Sequence, residues 1–456
     1  MTLRSLVLAT TAAVLALGAG APAAADDAPK KAKNVILFIG DGMGVSTVTA
    51  ARIYAGQKLG QTGEEYVLPF ENFDNVALVK TYNVDAQVPD SAGTASAMHT
   101  GVKTRIGVLG YGPEITLGDC ASGAGNELAL LGEEVIAKGL GLGIVSTARL
   151  THATPASVYA RSVNRDWEGD SAIPEDQRGL GCTDIARQLV DSPFDVALGG
   201  GSAAFFGKDS GGRRLVDTAD LPGEWAARTG GTFATDLNTM ATAPDDKPLL
   251  GLFSPSHMTY MVEREADSTE PTLTSMTATA IERLSRDPEG YYLVVESGRI
   301  DHGHHAGKAG YALEEAVEFA RAIQWAIDNT DPEETLIMVT ADHSHVFTIS
   351  GYPKRGNPIL GLVTNPLDES PSLAEDGKPY TTLGYANGAG AWTGDRPEPE
   401  TGVTASQQAA IPLDSETHAG EDVALYANGP GAQNVRGVME QNLIHDVIRK
   451  AFGWAE

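Results

Sequence analysis

Tyr291-Tyr292-Leu293-Val294-Val295 runs directly into Glu296-Ser297-Gly298-Arg299-Ile300-Asp301-His302-Gly303-His304-His305. The first five residues are aromatic, aliphatic or β-branched and follow Gly290, which is the pattern of a short buried strand. The next ten carry Glu296, Asp301, His302, His304 and His305. Carboxylates and imidazoles together suit a borderline ion such as zinc. A strand feeding such a cluster places it outside the carboxyl edge of an α/β sheet, where ligands of open sheets bind. The expected business of the chain is metal-assisted chemistry.

Further apolar runs read as strands at Asn34–Ile39, Leu142–Ser146, Val196–Leu198, Leu249–Phe253, Leu336–Thr340 and Val423–Tyr426. Between the Tyr291 and Leu336 runs, Leu313, Val317, Ala320, Ile323 and Ile327 recur at helical spacing as a crossover helix. This alternation predicts an α/β fold: a large, mostly parallel central sheet flanked by helices on both faces. Residues 352–417 break the pattern, being rich in Gly, Pro, Asn, Asp and Thr, and read as a small inserted subdomain.

Residues 1–25 combine Arg4, an apolar stretch from about Leu6 to Gly18 and Ala23-Ala24-Ala25, which reads as a cleaved signal peptide and an exported, secreted or periplasmic product. The main α/β domain is then 26–456, and no apolar stretch or hydrophobic tail predicts a membrane anchor. In an oxidising compartment Cys120 and Cys182 form one disulfide or remain two thiols, with the disulfide the default. The net charge of −27 argues against nucleic acid as a partner, and an anionic substrate needs a local positive focus.

Other strand ends carry the same chemistry: Gly40-Asp41-Gly42, Asp342-His343-Ser344-His345 and Glu416-Thr417-His418. So many carboxylates and imidazoles exceed one four-coordinate zinc and favour two zinc ions with an oxygen-rich magnesium site. Asp90-Ser91 opens a run of small, helix-compatible residues, which places Ser91 at a helix N-terminus that favours an anion. No Gly-X-Ser-X-Gly surrounds it, so a Ser-His-Asp elbow is not indicated.

Together with Thr151-His152-Ala153-Thr154-Pro155 and Val163-Asn164-Arg165, these ordered motifs resemble the alkaline phosphatase family, closest to its animal tissue-type branch, from about Asn34 to Phe452. The resemblance implies a phosphomonoesterase that forms a phosphoserine on Ser91, with Arg165 gripping phosphate. It implies a first zinc on Asp301, His305 and His418. A second zinc falls to Asp41, Asp342, His343 and the Ser91 oxygen. Magnesium falls to Asp41, Thr154 and Glu296, with His152 beside it and His302 on the substrate side. It also implies a Cys120–Cys182 pairing, a crown-like insertion at 352–417 and a homodimer.

The chain departs from that branch at Ser254, where animal members place a carboxylate for a fourth ion, calcium, so that site is not expected here. The stretch before Asn34 also lacks the arm with which animal subunits embrace each other. His304 and His345 read as structural neighbours of ligands; His99, His257 and His445 receive no role. Phosphodiesterase or sulfatase chemistry is the nearest rival, but Asp90-Ser91-Ala92-Gly93-Thr94 lacks the Cys/Ser-X-Pro-X-Arg context of a sulfatase. A non-catalytic metal-binding protein would need neither Ser91 nor Arg165.

Overall fold

A computed structural model of the 456-residue chain describes residues 30–454, so the leader expected at 1–25 lies outside the described residues. Eight strands come first: β1 (Asn34–Gly40), β2 (Asn75–Lys80), β3 (Gly141–Arg149), β4 (Val196–Gly200), β5 (Thr232–Ala234), β6 (Leu249–Leu252), β7 (Tyr291–Ser297) and β8 (Thr335–Ala341). Then come β9 (Ser344–His345), β10 (Phe347–Ile349), β11 (Leu383–Gly388), β12 (Gln408–Pro412) and β13 (His418–Ala419). β14 (Val423–Asn428) and β15 (Gly437–Glu440) close the series.

Ten of these form one sheet in the order β15-β2-β14-β8-β1-β7-β3-β4-β6-β5. Only β14 runs against its neighbours β8 and β2; the other pairings are parallel. The central strands β7 and β8 are buried along their whole length, as sheets covered on both faces require. All seven expected strands lie in this sheet, and β2, β5 and β15 join it. β2 exposes every second residue, with Val76 and Leu78 facing out, and β5 is only three residues long, so neither shows the continuous apolar run of the middle. The crossover helix spans Ala309–Asn329 and packs Phe319 edge-on to Phe38 of β1, with ring centroids 5.9 Å apart.

Within residues 352–417, β11 and β12 join β10 in a separate three-stranded sheet. Cys120 and Cys182 are disulfide-bonded, with Cα atoms 5.5 Å apart, beside a small cluster of Val108, Ile115, Val163, Trp167 and Ile173. No helix among the described residues is long and apolar enough to cross a membrane.

The crossover helix also buries a carboxylate. Glu315 is 2% exposed and accepts the Met261 N–H at 2.6 Å, yet burial pushes it up from 4.5 to about 7. Its proton is therefore held more tightly in the folded chain, so the contribution of Glu315 to stability is fully present below pH 4.5 and is lost as pH rises through about 7. That shift corresponds to about 3 kcal/mol above pH 7. Thermal unfolding of Glu315→Gln should show a variant that gains on the wild type between pH 5 and pH 8; a constant difference contradicts this.

Candidate active site

The sheet brings the expected residues together by register. Ile39 of β1 pairs with Glu296 of β7 and with Thr340 of β8, so Asp41 and Asp342 emerge level with each other and Glu296 two residues before them. Because β14 runs backwards, its beginning lies at the same edge, and β13 ahead of it pairs His418 with His345. β3 enters the edge beside Glu296 and continues into His152 and Thr154. Asp90 caps the helix Ser91–Thr100, its Oδ1 accepting the Gly93 N–H at 3.0 Å, which leaves Ser91 as the first helical residue. Gly42 has φ +65°, and a Cβ there would stand 2.3 Å from His345 Nε2, so the turn after Asp41 admits no side chain.

Three ligand atoms meet in the first cluster. His305 Nε2 lies 3.0 Å from His418 Nε2. Asp301 Oδ1 lies 3.3 Å from the former and 3.4 Å from the latter. The other ring nitrogens settle the tautomers: Nδ1–H of His305 donates to the Glu416 carbonyl at 2.6 Å and Nδ1–H of His418 to the Pro89 carbonyl at 2.8 Å. In the neutral rings both Nε2 atoms are therefore lone pairs facing each other and a carboxylate. A tetrahedral zinc with bonds of about 2.0–2.1 Å spaces its ligands by about 3.3 Å, so this triangle fits such an ion.

His345 enters the same knot differently. Its Nε2–H donates to Asp301 Oδ1 at 2.8 Å and its Nδ1–H to Glu416 Oε2 at 2.5 Å. Burial opposes the charge, but these two carboxylates outweigh it and raise the ring to about 9. Its two ring nitrogens thus tie Asp301 to Glu416 and hold the Asp301 carboxylate in place. Burial alone would raise Asp301; His305, His345 and His418 together hold it well below the usual range.

Asp41, Asp342 and His343 form the second cluster, with His343 Nε2 3.2 Å from Asp342 Oδ2, 3.4 Å from Asp41 Oδ1 and 3.2 Å from Ser91 Oγ. Asp41, His152 and Glu296 form the third, beside Thr154. Both Asp41 oxygens, Glu296 Oε1 and Thr154 Oγ1 are buried without a hydrogen-bond partner. Such atoms are costly unless a cation takes them, and an all-oxygen set suits magnesium. Burial, then the charges of Asp342, Asp301 and Glu296, drives Asp41 well above the carboxylate range, and burial lifts Glu296 to about 7. These buried carboxylates cannot all ionise together without cations.

Arg165 reaches across this edge, its Nη1 3.0 Å from Asp90 Oδ2 and its Nη2 donating to His152 Nε2 at 3.1 Å. Asp90, given no role by the motif, thus both caps the Ser91 helix and braces the guanidinium. His302 is adjacent to His152, with ring centroids 5.6 Å apart. His257, also without an expected role, packs 4.0 Å from the His302 ring and accepts from Arg149, which is held by Glu168. His304 is a satisfied buried side chain, bonded to Thr47 and Tyr385. The sequence signal available for His345 was its spacing two residues after His343, on the strand opposite His418; nothing comparable pointed to His257.

The fold and the site together define an α/β protein that gathers clusters of metal-ligand-type side chains at the carboxyl edge of its sheet. Residues 32–454 match the alkaline phosphatase family. The tissue-nonspecific alkaline phosphatase of Gallus gallus is 46% identical over 439 residues, covering 91% of this chain and 83% of that protein. The Homo sapiens isozyme is 42% identical over 453 residues, covering 92% and 83%. Among solved structures, the alkaline phosphatase of the Antarctic bacterium TAB5 has a TM-score of 0.66 at 24% identity, covering 94% of this chain and 100% of that one. A variant of it with Mg bound in its M3 site gives 0.67 at 25%, with the same coverage. The chain belongs to the alkaline phosphatase family, and it is a hydrolase of phosphate monoesters.

Proposed function

We propose that the chain is an exported alkaline phosphatase that works through a phosphoserine on Ser91. Supporting this most directly is the position of Ser91 Oγ, 3.2 Å from His343 Nε2 at a helix N-terminus and on the same strand-end edge as Arg165. Asp301, His305 and His418 would hold one zinc, and Asp41, Asp342 and His343, with the Ser91 oxygen, a second. Asp41, Thr154 and Glu296 would hold magnesium, with His152 alongside. The magnesium-bound TAB5 variant supports a third cation at such a centre. When bound, these cations supply positive charge at the attacking and departing oxygens and lower the pKa of water.

Ser91 Oγ attacks phosphorus in line with the departing alcohol oxygen, and the helix N-terminus favours the anion gathered there. Arg165, fixed by Asp90, presents its planar fork to two non-bridging oxygens. His302 faces the substrate from beside His152. Water then attacks the phosphoserine from the vacated side, returning Ser91 and releasing phosphate.

Assay of the holoenzyme on an aryl phosphate monoester and its matching diester tests the reading: the monoester should be strongly preferred, and a diester preference overturns it. Arg165→Lys keeps the charge but loses the fork, and kcat/KM should fall by about 10²-fold. The export leader at 1–25, the crown-like role of 352–417 and a homodimer belong to the same reading. Light scattering of the purified protein should give twice the chain mass.

A further inference from the structure

Besides His304, a second fully buried histidine stands outside this chemistry. His99 is 0% exposed and lies on the helix that begins at Ser91. Its Nε2 is 3.1 Å from the Tyr292 hydroxyl in β7. Its Nδ1 is 3.1 Å from the Ala95 carbonyl and 2.9 Å from Ser157 Oγ. Ser157 Oγ–H donates in turn to the Thr154 carbonyl at 2.7 Å.

The directions of these bonds follow from what each atom can do. The Ala95 carbonyl only accepts, so Nδ1 carries the hydrogen. Burial pushes the ring down to about 4, so it is neutral and Nε2 is a lone pair, which the Tyr292 O–H fills. With its single hydrogen on the Thr154 carbonyl, Ser157 Oγ can only receive from His99 Nδ1–H. The chain Tyr292, His99, Ser157, Thr154 is thus directed and fully satisfied. Each of its supports leads to the active edge: Tyr292 is on the strand that carries Glu296, Thr154 is itself beside the third cluster, and Ser91 starts the helix.

We infer that His99 is a positioning residue that locks the Ser91 helix and the Thr154 turn onto β7, setting Asp41, Thr154 and Glu296 at the spacing that holds Mg²⁺. This rests on the reading of that cluster as a cation site. A core histidine with no such part would affect stability but not the third cluster selectively.

The test is calorimetric titration of Mg²⁺ into zinc-loaded, magnesium-depleted enzyme, with zinc measured by atomic absorption, for the wild type, His99→Leu and His99→Asn. His99→Leu should weaken Mg²⁺ binding about tenfold or more, the usual size for a lost outer support of a metal ligand, with zinc content and KM unchanged and kcat lowered. His99→Asn keeps an N–H for the Ala95 carbonyl and Ser157 and should recover most of the affinity. Wild-type Mg²⁺ affinity in His99→Leu overturns the inference, as does an equal loss of zinc and magnesium in both variants. A wild type that binds no Mg²⁺ removes the cluster's assignment first and the inference with it.

Discussion

Ser91→Ala should lower turnover of an aryl phosphate by on the order of 10⁴-fold or more while the protein keeps its zinc. Ser91 Oγ is an uncharged oxygen 3.2 Å from His343 Nε2, and none of the Asp301, His305 and His418 contacts passes through it. Its loss removes the nucleophile and leaves most ligand atoms in place. The residual rate measures what positioning by Arg165 and the remaining centre achieves when water must attack phosphate directly. Incubation with ³²P-labelled substrate at low pH, followed by acid quench, should label the wild type and not the variant. Unchanged turnover in Ser91→Ala ends the phosphoserine mechanism.

The second large effect is at Asp41, which belongs to two clusters at once. Asp41→Asn should abolish most activity, a fall of about 10²-fold or more, and reduce both zinc and magnesium content. The stability response should change sign with metal. Burial and the neighbouring carboxylates raise Asp41 in the metal-free fold, so its ionised form is unfavourable once pH exceeds the ordinary carboxylate range. In chelator-treated protein at pH 8, Asn removes that repulsion and the melting temperature should rise. With metals present it should fall, because binding at a thousandfold over Kd contributes about 4 kcal/mol per site. Melting curves with and without chelator give both arms, and a shift of the same sign in each contradicts the account.

Much of the fold was legible because the central strands are continuous apolar runs that end in polar clusters, so both their existence and their direction could be read. β5 is too short to announce itself, and β2 alternates exposed with buried residues at the sheet edge. The convergence of Asp41, Glu296, Asp301, Asp342 and His343 was also readable, since parallel order sends their strand ends to one side, whereas His418 reaches that side because β14 runs antiparallel. What was not readable depends on contacts between segments distant in sequence. Asp90 braces Arg165 from 75 positions away. His345 bridges two carboxylates, Asp301 and Glu416, the latter 71 positions on. His99 is joined to Tyr292 across 193 positions. Residue type and spacing do not encode such partners; the packed fold does.

On the proposed assignment these strand ends hold two zinc ions and a lighter cation about Ser91. Anomalous diffraction from crystals of the holoenzyme, collected on both sides of the zinc edge, tests it most directly. One peak bounded by Asp301, His305 and His418 is expected, a second by Asp41, Asp342 and His343, and at Asp41, Thr154 and Glu296 density without zinc signal. A single zinc peak, or zinc bound away from these residues, contradicts it.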